Sequence, residues 1–237
     1  MTKMISRVCL GAAALTLALA ACASTGGVPI ALELAFEPAS PPRFTTVSGW
    51  DVELDAASVV LAALYALDEP DAMAFLAPSR AFAHGGHAPL DGSVVRAELL
   101  GPRVVDALAP SEPLPVDGLA GVVRAATIVL APSTDLDRSV YVQGVARRGA
   151  DEVRFEGGLV LTDAHRIEDV GVEGEPLEEG ARLVVELDAR AWLAEADFAE
   201  LAASGTSRIE GTQPERALWL AARSAGSWRA RIEGGGR

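Results

Sequence analysis

His84 and His87 stand three residues apart around Gly85 and Gly86, in a chain with only 3 histidines in all. Glycine reaches backbone conformations closed to other residues, so this pair lets both imidazoles turn toward one ion. Asp91 follows closely, and the remaining imidazole, His165, has Asp163 nearby. Imidazole nitrogen and carboxylate oxygen suit zinc or copper(II), and three or four such ligands complete a shell. The residue types predict a metal site built from His84, His87, His165 and Asp91. A solvated glycine-rich loop, or a histidine hydrogen-bonded within a turn, is the competing reading of the same letters. The helical His-Glu-x-x-His pattern is absent, and Met73 is the sole methionine beyond the first four residues, which leaves no thioether cluster for copper(I).

Other chemistries find less to work with. Asp163 and His165 could act as a general-base pair, but no serine stands in a Gly-x-Ser-x-Gly elbow and no sequence cue brings a nucleophile to them. Lysine does not occur after Lys3, which excludes a Schiff-base mechanism and a phosphate-loop lysine in everything downstream. The acidic stretches "STDLDRS" at 133–139 and "EGEPLEEG" at 173–180 lack the ordered oxygen ligands of a calcium loop and read as solvated turns. The expectation is a protein that binds rather than catalyses.

The N-terminus gives an address. Lys3 and Arg7 precede an apolar run from Val8 to Ala21, which ends at Cys22. As a helix these about 14 residues would span roughly 21 Å, short of the roughly 30 Å hydrocarbon core, so the run predicts a cleaved leader over 1–21. Leu19-Ala20-Ala21-Cys22 resembles the lipobox of bacterial lipoproteins. The resemblance implies a diacylglyceryl thioether and an N-acyl chain on Cys22. Two or more chains hold stably where a single one binds only marginally. It also implies an outer-membrane destination, facing periplasm or cell surface, because Ala23 stands where retained lipoproteins often carry Asp. Residues 22–27 would be anchor and spacer, 28–233 the folded domain, and 234–237 a disordered tail.

Ser48-Gly49-Trp50 and the 84–87 loop are also similar to segments of lipoproteins that pair a Ser-Gly-Trp segment with a His-Gly-His-like loop, and the loop resembles that of periplasmic copper-binding lipoproteins displaying histidines on a β-rich scaffold. That likeness covers these two segments alone and carries no activity with it.

A formal charge of −13, which loss of Lys3 and Arg7 makes more negative still, disfavours nucleic acid and anionic head groups as partners. The partners expected are the membrane, through the anchor, and an envelope protein. Of the 2 cysteines, Cys9 falls in the leader and Cys22 is the acylation site, so the domain has no disulfide available. Stability must come from burying a chain that is 50% hydrophobic.

The elements that would position these residues are mostly strands. Ile30, Leu32, Leu34 and Phe36 alternate with small or polar residues, as do Trp50, Val52 and Leu54, while "EPASPPR" at 37–43 breaks any ladder between them. Asp55 to Leu67 fits both helix and strand periods, and its β surroundings favour strand. Further strands are predicted over Val122–Ala131, Val140–Ala146, Val153–Leu161 and Leu183–Leu187, with Trp228, Ala230 and Ile232 as the last; 109–118, "APSEPLPVDG", reads as a loop or an extended edge. Two helical stretches lie near the end. One is capped by Asp188, stopped by Gly205 and open to a break near Asp197; the other is capped by Thr212 and stopped by Gly226. The pattern predicts a single mainly β domain, an antiparallel sandwich or barrel, with one or two short accessory helices near the C-terminus.

Overall fold

Strict alternation makes the first strand: Ile30, Leu32, Leu34 and Phe36 point inward from β1 (Pro29–Pro38) and are all buried. The structure is a computed structural model that describes residues 27–68, 93–131, 138–205 and 207–234. After β1 come β2 (Arg43–Thr45), β3 (Asp51–Leu67), β4 (Val95–Asp106), β5 (Leu114–Leu119), β6 (Ala125–Leu130), β7 (Val140–Arg148), β8 (Asp151–Leu159), β9 (His165–Gly174) and β10 (Arg182–Leu187). Three short helices follow, α1 (Ala189–Leu193), α2 (Ala199–Ser204) and α3 (Gln213–Ala221), before β11 (Trp228–Glu233) closes the domain.

The strands form one 11-stranded sheet that curls into a ring: β3, β4, β5, β1, β10, β11, β9 and β6 pair in that order, and β6 pairs back to β3. The β-rich sandwich or barrel expected from the sequence is therefore what forms. Its sheet is mixed, with β1–β10 and β11–β9 parallel. β3 is long enough to serve twice. Its first half pairs with β7, extending the wall through the β7–β8 hairpin, and its second half pairs with β6. Closure is weakest between β4 and β5, which share the single register pair Ala97↔Gly118. Arg96 reinforces this seam by donating to the Ala120 carbonyl (3.1 Å) and to Asp68 (2.6 Å).

Inside, Leu32, Leu34 and Phe36 meet Leu183, Val185, Ile128, Leu130, Leu61 and Leu64 in one core cluster, so the barrel is filled by side chains. The same cluster runs on into Trp192, Leu193, Phe198 and Leu201 of the helical segment, which therefore seals one end of the barrel. On the outer wall Arg231 reaches from β11 across β10 to Glu37 on β1 (2.8 Å), and also pairs with Glu186 and with Glu233 (3.0 Å). Its stem thus crosses Val184 and Ala35, both fully buried although they face outward.

The register fixes what lies at each end. At the lower end β1 begins and β5, β9 and β11 finish, as the pairs Pro29↔Leu119, Arg182↔Glu233 and Ile232↔Gly174 require. At the upper end Pro38, Leu187 and Trp228 lie side by side, β9 begins at His165, and the helices are packed.

The helical expectations need adjusting in detail. Asp188 caps α1 as predicted, accepting from the amides of Arg190 and Ala191, and Gly205 ends α2 in the left-handed conformation (φ 66). The predicted break near Asp197 is real, so there are three helices where one or two were expected. Thr212 precedes α3 without capping it, because its hydroxyl donates back to the Ile209 carbonyl (2.6 Å). That helix stops at Ala221, and Gly226 sits in a separate 3-10 turn, Ala225–Ser227. The 109–118 segment contributes its second half to β5, one border of the seam. The 234–237 tail falls outside the described residues beyond Gly234.

Candidate functional site at the helical end

His165 opens β9 at the upper end, opposite Leu130 in register. Both of its ring nitrogens face Arg223. Arg223 Nη2 donates to Nδ1 at 3.0 Å, and Nε2 lies 3.4 Å from the Arg223 carbonyl oxygen. A guanidinium has no lone pair to accept with, so Nδ1 is the acceptor and Nε2 carries the hydrogen. Metal ligation by His165 would have to displace one of these contacts. Asp163 accepts from the neighbouring Thr162 hydroxyl (3.4 Å) and makes no pair with His165. Among the described residues no group of three or more His, Cys, Asp or Glu side chains is placed to hold a metal. His84, His87 and Asp91 lie outside the described residues, as does Cys22.

From His165 the chain of contacts leads outward. Arg223 also lies over the Trp219 ring, 4.0 Å from its centroid, a cation–π stack whose worth grows with desolvation. Trp219 is 48% exposed, whereas Trp50, Trp192 and Trp228 are buried. Beside it Leu220 is 67% exposed, and the two join Glu215 and Arg216 around an open cavity of about 350 Å³. Glu215 accepts from the Gly211 amide (2.6 Å) and Arg216 reaches only the Gly211 carbonyl (3.5 Å). Neither Arg216 nor Arg223 forms an ion pair among the described residues, so two guanidiniums lie beside Trp219 with the Glu215 carboxylate at the same cavity.

The helix accounts for that exposure. Pro214, Ala217, Leu218 and Ala222 recur at helical spacing and are all buried. The inward stripe is complete without Trp219 and Leu220, which therefore fall on the outer face. Sequence reasoning placed α3 but missed this site. The signal was that Trp219 and Leu220 fall off the stripe that Pro214, Ala217, Leu218 and Ala222 complete.

The Ser48-Gly49-Trp50 segment has a packing role. Its turn hydrogen-bonds the Ser48 hydroxyl to the Ala196 carbonyl (2.6 Å) and the Trp50 indole to Asp197 (2.9 Å), while Arg148 covers the ring at 4.4 Å. Asp197 also accepts from the Ala199 amide (3.0 Å) at the start of α2. That backbone bond and then the indole hold its carboxyl below the ordinary 3.8; desolvation opposes them, and the Arg148 charge adds the smallest effect in their direction. The cluster fastens the helices to the wall and so sets where Trp219 is displayed.

No family model, curated protein or solved structure matches this chain, so the site stands on its own geometry.

Proposed function

We propose that this is a lipid-anchored envelope protein, held in the outer membrane through Cys22, that binds a partner protein through the Trp219–Leu220 face and performs no catalysis. The observation that carries the reading is the exposure of a tryptophan and a leucine side by side on a helix whose inward stripe is already filled. Buried tryptophan and arginine dominate binding energy at interfaces, and here an exposed tryptophan lies between Arg216 and Arg223. The partner this chemistry selects is a protein segment with an apolar side chain next to a carboxylate. The N-terminal pattern supplies the anchor. No helix among the described residues is long and apolar enough to cross a membrane.

The test is photocross-linking in intact envelopes with p-benzoylphenylalanine at Leu220. We expect a discrete protein adduct that falls about fivefold or more with Trp219→Ala or Arg216→Glu, the size of a hot-spot loss of roughly 1 kcal/mol. An adduct indifferent to both substitutions, or equally strong from a probe at Glu33 on the outer wall, overturns the reading.

A second reading assigns copper or zinc binding to His84 and His87 with Asp91, favoured by two of the 3 histidines flanking a Gly-Gly pair. Titration with copper(II) and zinc decides it. Affinity weaker than about 0.1 mM, or equal binding by a His84→Ala/His87→Ala variant, removes it.

A further inference from the structure

Resting on the lipid-anchor reading, we propose that the lower end of the barrel, carrying Val28 and Val122, is the surface that sits on the bilayer, so that the helical end with Trp219 points away from it. The position of the chain at Gly27 is fixed. A Cβ there would lie 3.2 Å from Leu119 and 3.3 Å from the Ala120 carbonyl, and the Ala120 amide donates to the Val28 carbonyl (2.8 Å). Residues 27 and 28 are therefore held at the end where β1 starts and β5 finishes. Cys22 lies five residues earlier, so the tether spans at most about 18 Å. From there β1 runs 10 residues, roughly 30 Å along the strand and about 23 Å along the axis at a typical barrel tilt of about 40°, to the upper end, where the helices add a further layer. The tether is too short for the anchor to reach the helical end, and it leaves the lower end next to the head groups.

What that end displays fits a lipid surface. Val28 is 69% exposed and Val122 40%, and both flank the residues that hold the start of β1. The exposed carboxylates of Glu173, Glu175 and Glu178 are at the same end, at the close of β9 and just beyond it. They oppose deep insertion and anionic lipid, and they favour a zwitterionic surface carrying ammonium groups. Among the described residues the apolar contact this end offers is shallow, Val28 and Val122, with orientation imposed by the tether. The consequence for the binding face is direct: Trp219 and Leu220 are presented to partners away from the anchoring membrane.

The test uses the full chain, processed and acylated by its host, with single cysteines introduced at Val122, Val28 or Leu220. The mature domain has no other free thiol if Cys22 is acylated, so each label is unique. On phosphatidylethanolamine–phosphatidylcholine vesicles containing a head-group spin-labelled lipid, fluorophores at positions 28 and 122 should be quenched about threefold or more beyond one at 220, given about 20 Å or more of intervening barrel. Equal quenching at the two ends, or stronger quenching at 220, overturns the orientation while the protein still floats with the vesicles. A protein that fails to float overturns the anchor itself, which is a separate and visible outcome. Val28→Cys provides the same reading where Val122→Cys perturbs folding.

Discussion

Trp50→Ala is expected to lower folding stability by about 3–5 kcal/mol, seen as a fall in the urea midpoint without a change of slope. Trp50 is fully buried and meets Phe198 edge-on at 5.9 Å, and Phe198 in turn packs on Phe155 at 4.8 Å. These three rings join the start of β3, the β7–β8 hairpin and the helical segment, so truncation opens a cavity at the junction of all three. It also strips Asp197 of its indole donor and Arg148 of its aromatic face. Trp50→Phe keeps much of the packing but loses the hydrogen bond, and should cost roughly 1–2 kcal/mol. The Asp197 contribution has its own signature in pH. Its carboxyl titrates lower in the folded protein than in the unfolded chain, so its stabilisation is complete above the ordinary 3.8 and drains away as pH falls through the lowered value. Asp197→Asn should therefore lower stability across the neutral-to-alkaline range and flatten the acid limb, where the parent loses a contribution that the variant never has. A Trp50→Ala protein within 1 kcal/mol of the parent, as a rough limit, would show that the ring cluster does not hold the helices to the wall.

How far the letters foretell this molecule depends on whether the ladder is regular. β1, β10 and β11 pair without register shifts, and their large inward residues recur at every second position, although Ala35 and Val184 are also buried on the outward face. β3 reads ambiguously for a reason the pairing makes plain. Register shifts between Leu54 and Ala56 and between Leu61 and Ala63 each change the phase of a period-two pattern, and the inward residues then mimic helical spacing. β9 went unrecognised because a similar shift, with Asp169 at φ 59, separates Ile167 from Val170 by three positions. β4 was missed because it borders the seam, where residues 98–104 are mostly exposed and Gly101-Pro102 interrupts them. Parallel pairing of β1 with β10 joins residues nearly 150 positions apart and leaves no local trace. The same limit governs the site. His165 was legible as a candidate ligand, but its partner Arg223 comes from beyond α3, 58 positions away, and only the closed fold brings them together.

Gly158→Ala should be as damaging as any core truncation, although it adds a single methyl group. Gly158 lies on β8 opposite Tyr141, and a Cβ there would stand 1.9 Å from the Val140 carbonyl oxygen. The obstacle is backbone already committed to the β7–β8 ladder, so no side chain can swing aside. Either the hairpin separates or the strand shifts. Overpacking of this kind costs about 3 kcal/mol or more, equivalent to roughly 6–12 °C in Tm for a domain of this length. The neighbouring Gly157 gives a graded control: its Cβ would meet Ile209 Cγ1 at 2.4 Å, a side-chain contact, and Ile209 is fully buried. Residues 207–209 run along β8 through bonds from the Glu156 amide to Ser207 (2.7 Å) and from the Ile209 amide to Glu156 (3.1 Å), and this segment leads straight into α3. Gly157→Ala should therefore act mainly on α3 and the Trp219 face, raising acrylamide quenching and red-shifting emission before global unfolding, while Gly158→Ala lowers the whole transition. If Gly158→Ala melts with the parent protein, β7 and β8 are not as closely paired as described, and the platform beneath the binding face must be drawn differently.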